Sequence, residues 1–347
     1  MFENMFDMNM FNCLKEMFGK KNIPKPENII SDKNIFSICV LTKNHIIYGN
    51  HTGEIIWYNI EKKEELSKKK AHERGIAYLE TINSKKFISL SFDNIVKIWK
   101  TNYEDNFSIE LKGIYNKHSA QVTKALLYNE KLMITSSLDK TIRIWNTKKL
   151  NKEDLLVIDK NSFGVESFIK VSDEDLIISS DEHGMLIFWK FSIEEKNFSL
   201  EKIELDCRVT NANSMCEIPN KKLVVADYKK MKIIDIKSKQ IESMFVLNET
   251  INVIISFADI IVIGLKNGKI KLTDKNFGIY SQIGNKNQNL IEELNIKKKE
   301  NNEILFQNSS IINIKITDEF FIVVTNGEIN FFEREKYNKI KHRFKLD

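Results

Sequence analysis

The sequence is short of the residues that usually punctuate a β-rich chain. Its 347 residues include 12 glycines and 3 prolines, so turns must lean on Asn, Asp, Ser and Lys. Asparagine and aspartate can serve because their short side chains bond locally to backbone and tolerate left-handed conformations. Cysteine is equally sparse. Cys13, Cys39, Cys207 and Cys216 form no CxxC pair and no dense framework, which excludes a disulfide scaffold and favours a reduced intracellular compartment. No run approaches the roughly 18–20 apolar residues that a membrane span requires. The N-terminus lacks a basic segment followed by an unbroken apolar core, so no secretory signal is expected. These absences point to the cytoplasm, with the nucleus as the alternative.

Charge of one sign is also missing. Fifty-three basic residues against 48 acidic ones give a net charge of +5, and the two signs are interleaved. A dedicated nucleic-acid binder concentrates Lys and Arg on one face or in a tail. Here the densest runs, Glu61–Lys70 and Lys297–Glu300, mix signs or are short, and they read as solvated loops. There is no GxxxxGK[ST] loop and no GxSxG elbow. Asp181-Glu182-His183 is chemically loaded, but it sits in a hairpin turn and nothing supplies the further ligands a metal site needs. No catalytic residue, metal or cofactor is therefore expected. The 42% hydrophobic content is ample for a packed core.

What is present is repetition. Leu132–Asn146, LMITSSLDKTIRIWN, alternates apolar and polar residues, turns at Leu138–Lys140, and alternates again into Trp145. That pattern predicts a β-hairpin with a buried face. The same shape recurs in HIIYGNHTGEIIWYNI, FISLSFDNIVKIW and LIISSDEHGMLIFW. All four tryptophans (Trp57, Trp99, Trp145, Trp189) hold the equivalent position, 42, 46 and 44 residues apart. Further on, Ile234, Thr273 and Phe332 take that position in three more hairpins. Asn267-Gly268 and Asn326-Gly327 predict type I′ turns. Seven hairpins at a period of about 40–45 residues predict propeller blades of four strands each.

The hairpins resemble WD40 repeats, and the chain resembles a seven-bladed WD40-type β-propeller: all-β, with four-stranded antiparallel blades. The second and third repeats carry the repeat's polar set as His72, Ser91, Asp93, Trp99 and as His118, Ser137, Asp139, Trp145, with 27 residues from histidine to tryptophan in both. The resemblance implies that the aspartate bonds the histidine, the histidine the serine, and the serine the indole N–H. Recurrence of the set in successive blades marks it as scaffold rather than a Ser-His-Asp triad. His51 and His183 replace the turn aspartate in blades one and four.

The expected organisation is an N-terminal amphipathic helix and linker over residues 1–28, then the propeller over 29–347. Phe2, Met5, Phe6, Met10, Cys13, Leu14, Met17 and Phe18 form the helix's apolar stripe. Three placements stay open for it: folded back on the propeller, docked in a partner's groove, or, least favoured because the segment is acidic, lying on a membrane surface. A surface insertion over 280–308 is expected between blades six and seven. Lys339–Leu346 is favoured as the outer strand of blade seven, with Asn28–Ile30, or both ends together, as the alternatives.

As a member of this class the chain is expected to be a non-catalytic scaffold or adaptor for protein partners, within a multi-subunit complex. Its contact surface is the rim of turns, where Phe92, Leu138, Arg74, Gln121 and Tyr228 are the candidate contact residues. The alternative is a nucleic-acid- or phosphate-binding propeller within a ribonucleoprotein complex, for which no clustered basic stripe is found. WD40 substrate receptors of ubiquitin ligases often carry an arginine two residues after the tryptophan-aspartate pair. No tryptophan here is followed by that pattern.

Overall fold

A computed structural model describes residues 28–31, 35–104, 106–129, 132–147, 154–159, 161, 163–172, 176–194, 197–205, 212–257, 260–274, 304–305, 310–317, 320–325 and 328–333. The expected N-terminal helix, the Asn326-Gly327 turn and Lys339–Leu346 lie outside these residues.

Every regular element among them is a strand. In chain order they are β1 (Asn28–Ser31), β2 (Ile35–Thr42), β3 (His45–Asn50), β4 (Glu54–Asn59), β5 (Glu64–Lys70), β6 (Ile76–Asn83), β7 (Lys86–Ser91), β8 (Val96–Asn102), β9 (Ser108–Tyr115), β10 (Val122–Asn129), β11 (Leu132–Ser137), β12 (Ile142–Asn146), β13 (Asp154–Ile158) and β14 (Val165–Lys170). They continue as β15 (Leu176–Asp181), β16 (Leu186–Glu194), β17 (Asn197–Leu205), β18 (Ala212–Ile218), β19 (Lys222–Asp227), β20 (Lys230–Asp235), β21 (Gln240–Val246), β22 (Ile251–Phe257), β23 (Ile260–Leu265), β24 (Lys269–Asp274), β25 (Ile304–Leu305), β26 (Ile311–Ile316), β27 (Phe320–Thr325) and β28 (Glu328–Glu333).

These strands form seven four-stranded sheets. Six are simple meanders of consecutive strands, from β2–β5 to β22–β25. The seventh has the order β1-β28-β27-β26. This is the blade set of a seven-bladed β-propeller. The contacts divide the chain into two compact units, Asp32–Ala212 and the remainder, Met1–Ser31 with Asn213–Asp347. Blades one to four belong to the first unit and blades five to seven to the second.

Three expectations are corrected here. Blade seven takes its fourth strand from the N-terminal side, Asn28 pairing with Phe331 and Ser31 with Glu328, in the place expected for Lys339–Leu346. Ile304 and Leu305 pair with Ile270 and Lys269 as the outer strand of blade six. The long segment before them therefore falls inside blade six, between its third and fourth strands, rather than between blades six and seven. Glu64–Lys70 is a strand, not a loop. It is the outermost strand of blade one, where charge on both faces costs little and discourages unwanted pairing.

The second and third strands of each blade are the buried ones. All six residues of β11 and of β27 are buried. Blades one and two pack through Ile47, Trp57, Leu79, Phe87 and Trp99, and blades two and three through Leu90, Val122, Met133 and Trp145. Blades three and four share Ile134, Phe168, Ile177 and Trp189. In the second unit, Ile233, Phe245, Ile254 and Ile261 join blades five and six. Each tryptophan faces an apolar partner on the preceding strand: Ile47 with Trp57, Phe87 with Trp99, Met133 with Trp145, Ile177 with Trp189. Leu223–Ile234, Ile261–Thr273 and Phe321–Phe332 repeat that register without tryptophan.

Candidate functional site

Each polar set is built across two strands, the segment that enters the blade and a turn. In blade two the Trp99 indole N–H donates to Ser89 Oγ at 2.7 Å, and Ser89 Oγ lies 2.7 Å from His72 Nε2. His72 Nδ1 is 2.9 Å from Asp93 Oδ2. Asp93 also accepts the Glu73 and Ile95 N–H groups. Burial pushes the His72 pKa below its ordinary value, although the hydrogen bond and charge of Asp93 pull the other way. Burial alone would raise the Asp93 carboxyl, but His72 and the backbone donors hold it below its ordinary range. A neutral imidazole donating from Nδ1 to a carboxylate satisfies both, and leaves Nε2 to accept the Ser89 hydroxyl. Blade three repeats the chain through Trp145, Thr135 and His118 to Asp139, each step 2.8 Å. Burial opposes ionisation of Asp139, yet its bonds from His118 and Thr141 hold it well below the usual carboxylate range.

The hydroxyl in these chains is Ser89 and Thr135, not Ser91 and Ser137 as the resemblance implied. Side chains on one face of an antiparallel pair meet directly and diagonally. Ser89 stands two residues from Phe87, the partner of Trp99, and so reaches the indole. Ser91 and Ser137 begin the turns instead. Their hydroxyls donate to Arg74 O and Ala120 O and accept the Asp93 and Asp139 N–H groups. Ser89 and Thr135 are fully buried, locked between an indole and an imidazole, where no substrate carbonyl could approach.

The other described turns show how the frame varies. Asn94, Lys140, Gly53, Gly184 and Gly268 all adopt positive φ and donate their N–H to the carbonyl three residues back. The residue before each is Asp93, Asp139, Thr52, His183 and Asn267. Thr52, not His51, thus holds the aspartate's place in blade one. Its tryptophan lies ten residues from its strand partner instead of twelve, so counting back from Trp57 overshoots by one. At Asn267-Gly268 only the glycine has positive φ, so the turn is not the expected type I′, which needs it at both residues.

The turns also carry the candidate contact surface. Within the first unit, the Phe92 N–H donates to Gly75 O, Leu138 N–H to Gln121 O, and Glu182 N–H to Gly164 O. These bonds tie the turn of each blade to the segment that enters its first strand, and bring Leu138 beside Gln121 and Phe92 close to Arg74. Arg74 is exposed, while Phe92, Leu138 and Gln121 are half-buried. Tyr228 lies in the second unit, at the turn of blade five. It is 48% exposed and held at φ 50, a conformation that costs a bulky side chain roughly 1–2 kcal/mol.

Two aromatic residues at this end were missed by the sequence reading. Phe36, 41% exposed, packs edge-to-face on Phe92 with centroids 6.0 Å apart. Phe163 meets His183 at 3.8 Å. Leu138 adjoins this second pair, since a Cβ placed on Gly164 would lie 3.0 Å from Leu138 Cα. Phe36 sits at a β-bulge that recurs where first strands begin, between Ile35 and Ser37, Ile76 and Tyr78, Val122 and Lys124, Val165 and Ser167. The bulge re-aims its residue: Thr123 uses it to donate to Val165 O of the next blade. In blade four the bulge holds Glu166, whose pKa is raised by burial and by the charges of Glu182 and Asp181. Among the described residues no group of three or more His, Cys, Asp or Glu side chains could hold a metal ion. No helix among them is long and apolar enough to cross a membrane.

Comparison with known proteins adds two findings. The family model described as WD domain, G-beta repeat (WD40), matches residues 109–146, from the outer strand of blade two through the hairpin of blade three. The ribosome biogenesis protein YTM1 of Vanderwaltozyma polyspora is 26% identical over 142 residues, covering 36% of this chain and 29% of that protein. Its counterpart from Kluyveromyces lactis is 27% identical over 124 residues, covering 33% and 27%. The chain therefore spans less than a third of the length of these relatives. Neither the family model nor the relatives point to an enzymatic family.

Proposed function

Because the chain belongs to the WD40-repeat β-propeller family, we propose that it is a non-catalytic protein–protein interaction scaffold, holding a partner on the turn ends of its blades. The observation that carries this reading is the Phe36–Phe92 pair. Phe36 remains solvent-exposed while Phe92 is fixed by a turn whose aspartate is locked into the His72–Ser89–Trp99 chain. A large apolar side chain held rigidly at the surface is what a binding hot spot needs, because little side-chain entropy is lost on contact. Arg74, Gln121 and Leu138 extend the same surface, and Tyr228 is a separate candidate contact within the second unit.

A scaffold of this kind works within a multi-subunit complex, in the cytoplasm or nucleus. The relatives' role in ribosome biogenesis supports a ribonucleoprotein setting and adds weight to the nuclear alternative. It also sustains a second reading, in which the basic balance of the chain contacts RNA phosphates. The two readings separate on salt, since phosphate contacts weaken steeply as counterions compete. The test is co-purification of partners with the full chain and with Phe92→Ala, washed at low and high salt. Protein partners that resist salt and are lost with Phe92→Ala support the scaffold. Recovery of RNA alone, released by salt, replaces it with the second reading.

A further inference from the structure

Blade five ends in an edge strand unlike that of blade one. β21 is the outermost strand of its sheet, and an edge strand presents backbone groups that can template pairing with another chain. Blade one blunts its edge with charge, EELSKKK. Blade two has its edge backbone engaged by a neighbour, Lys69 Nζ donating to Ile109 O at 2.9 Å. β21 carries Ile241, Met244 and Val246, which at 44%, 53% and 49% are each more exposed than Leu111 and Ile114 of β9 or Leu155 and Val157 of β13.

These three side chains share one face. Val246 pairs with Lys230, Met244 with Lys232 and Ile241 with Ile234, a bulge between Ser243 and Ile241 keeping the last in phase. Phe245 lies on the opposite face, buried against blade six. The apolar row therefore runs the length of the strand, parallel to a row of strand-mate side chains that begins with two lysines.

The charge around the row is one-sided. Lys232 is buried and paired with Asp227 at 3.4 Å, which leaves four lysines from Tyr228 to Val246 (Lys229, Lys230, Lys237, Lys239) against two acids, Asp235 and Glu242. Both acids are committed. Glu242 is 2.6 Å from Lys222. Asp235 accepts the Ser238 N–H, and that bond, ahead of a smaller contribution from Lys222, holds its carboxyl below the ordinary value. Lys230 and Lys237, one near each end of the strand, are exposed.

We infer that β21 is a docking edge for an extended segment of a protein partner, alternating apolar and acidic residues, which adds to blade five as a fifth strand. Main-chain hydrogen bonds would supply affinity, the apolar row would seat alternate side chains, and the flanking lysines would select for acid. This surface is separate from the aromatic turns of blades one to four and does not depend on them.

The probe is a short fluorescent peptide alternating valine and glutamate, compared with one carrying lysine in place of glutamate. Anisotropy with the full chain should show the glutamate peptide binding at least about tenfold more tightly, a difference of roughly 1.4 kcal/mol. Met244→Lys should abolish that binding without shifting the thermal midpoint, Lys230→Glu should reverse the preference, and Phe92→Ala should leave it unchanged. Equal binding of the two peptides, no binding of either, or binding indifferent to Met244→Lys would overturn the inference. So would a wild-type chain that sediments as a dimer dissociated by Met244→Lys, which would assign the edge to a second copy.

Discussion

Gly49 holds, beside Trp57, the place from which Ser89 meets Trp99, two residues along the neighbouring strand from the tryptophan's partner. A glycine has no side-chain hydroxyl to offer there, and the buried Trp57 indole N–H finds no acceptor among the described residues. A serine would not fit as things stand, because a Cβ on Gly49 would lie 2.5 Å from Ile76 Cγ2. The isoleucine that opens blade two fills the volume that the hydroxyl of blade one would need.

Gly49→Ser should therefore destabilise the chain by roughly 1–3 kcal/mol, the usual cost of overpacking a filled site. Ile76→Ala alone should also destabilise, by leaving a cavity. Together the two should cost less than their sum, because the smaller neighbour admits a hydroxyl that can accept the indole N–H. Urea unfolding of the four chains measures the coupling. Strict additivity would show that Gly49 and Ile76 do not compete for one space.

Ser89→Ala should cost more than Ser91→Ala. The first strips a partner from two buried groups, the Trp99 N–H and His72 Nε2, at about 1–3 kcal/mol for each group left unmet. The second removes one hydroxyl from a turn, at about 1 kcal/mol. Thr135 and Ser137 should show the same order in blade three. Equal losses would return the turn serines to the relay.

His72 and the two aspartates of the relay make stability depend on pH. The folded-state pKa of His72 lies below its ordinary 6.5, so between those two values the unfolded chain binds a proton that the folded chain refuses. Its contribution is complete above about pH 6.5 and is lost as pH falls through that window. Asp93 and Asp139, lowered from 3.8, contribute above that value and lose their contribution as pH falls further. Unfolding free energy should thus decline in two stages from neutral to acid, and Asp139→Asn should flatten part of the lower one. Stability that rises on acidification from pH 7 would contradict the neutral-imidazole relay.

Much of this architecture was legible because the tryptophan register is a property of sequence spacing. Trp57, Trp99, Trp145 and Trp189 announced four hairpins, and Ile234, Thr273 and Phe332 hold the matching pairings in the other three. What failed were features set by geometry across strands. Ser89 and Ser91 are both small, polar and near the turn, and only the diagonal between paired strands says which one meets the indole. The shortened hairpin of blade one displaced the turn by a residue and made His51 look like the aspartate's substitute. Phe36 and Phe163 carry no signal in a linear pattern, since a bulge and a blade-entering segment bring them to the turns. The outer strand of blade seven is a pairing between distant ends of the chain, on which local periodicity is silent.

On the proposed function, the aromatic turn ends of blades one to four hold a protein partner. The most direct measurement is quantitative mass spectrometry of proteins retained at high salt by the full chain and by Phe36→Ala/Phe92→Ala, after matching thermal midpoints show that both are folded. The wild-type chain should retain a defined set of partners, depleted at least about tenfold by the double substitution, since removing a hot-spot pair costs roughly 2 kcal/mol or more. An undiminished set on the double variant, or none on the wild type, would contradict the proposed function.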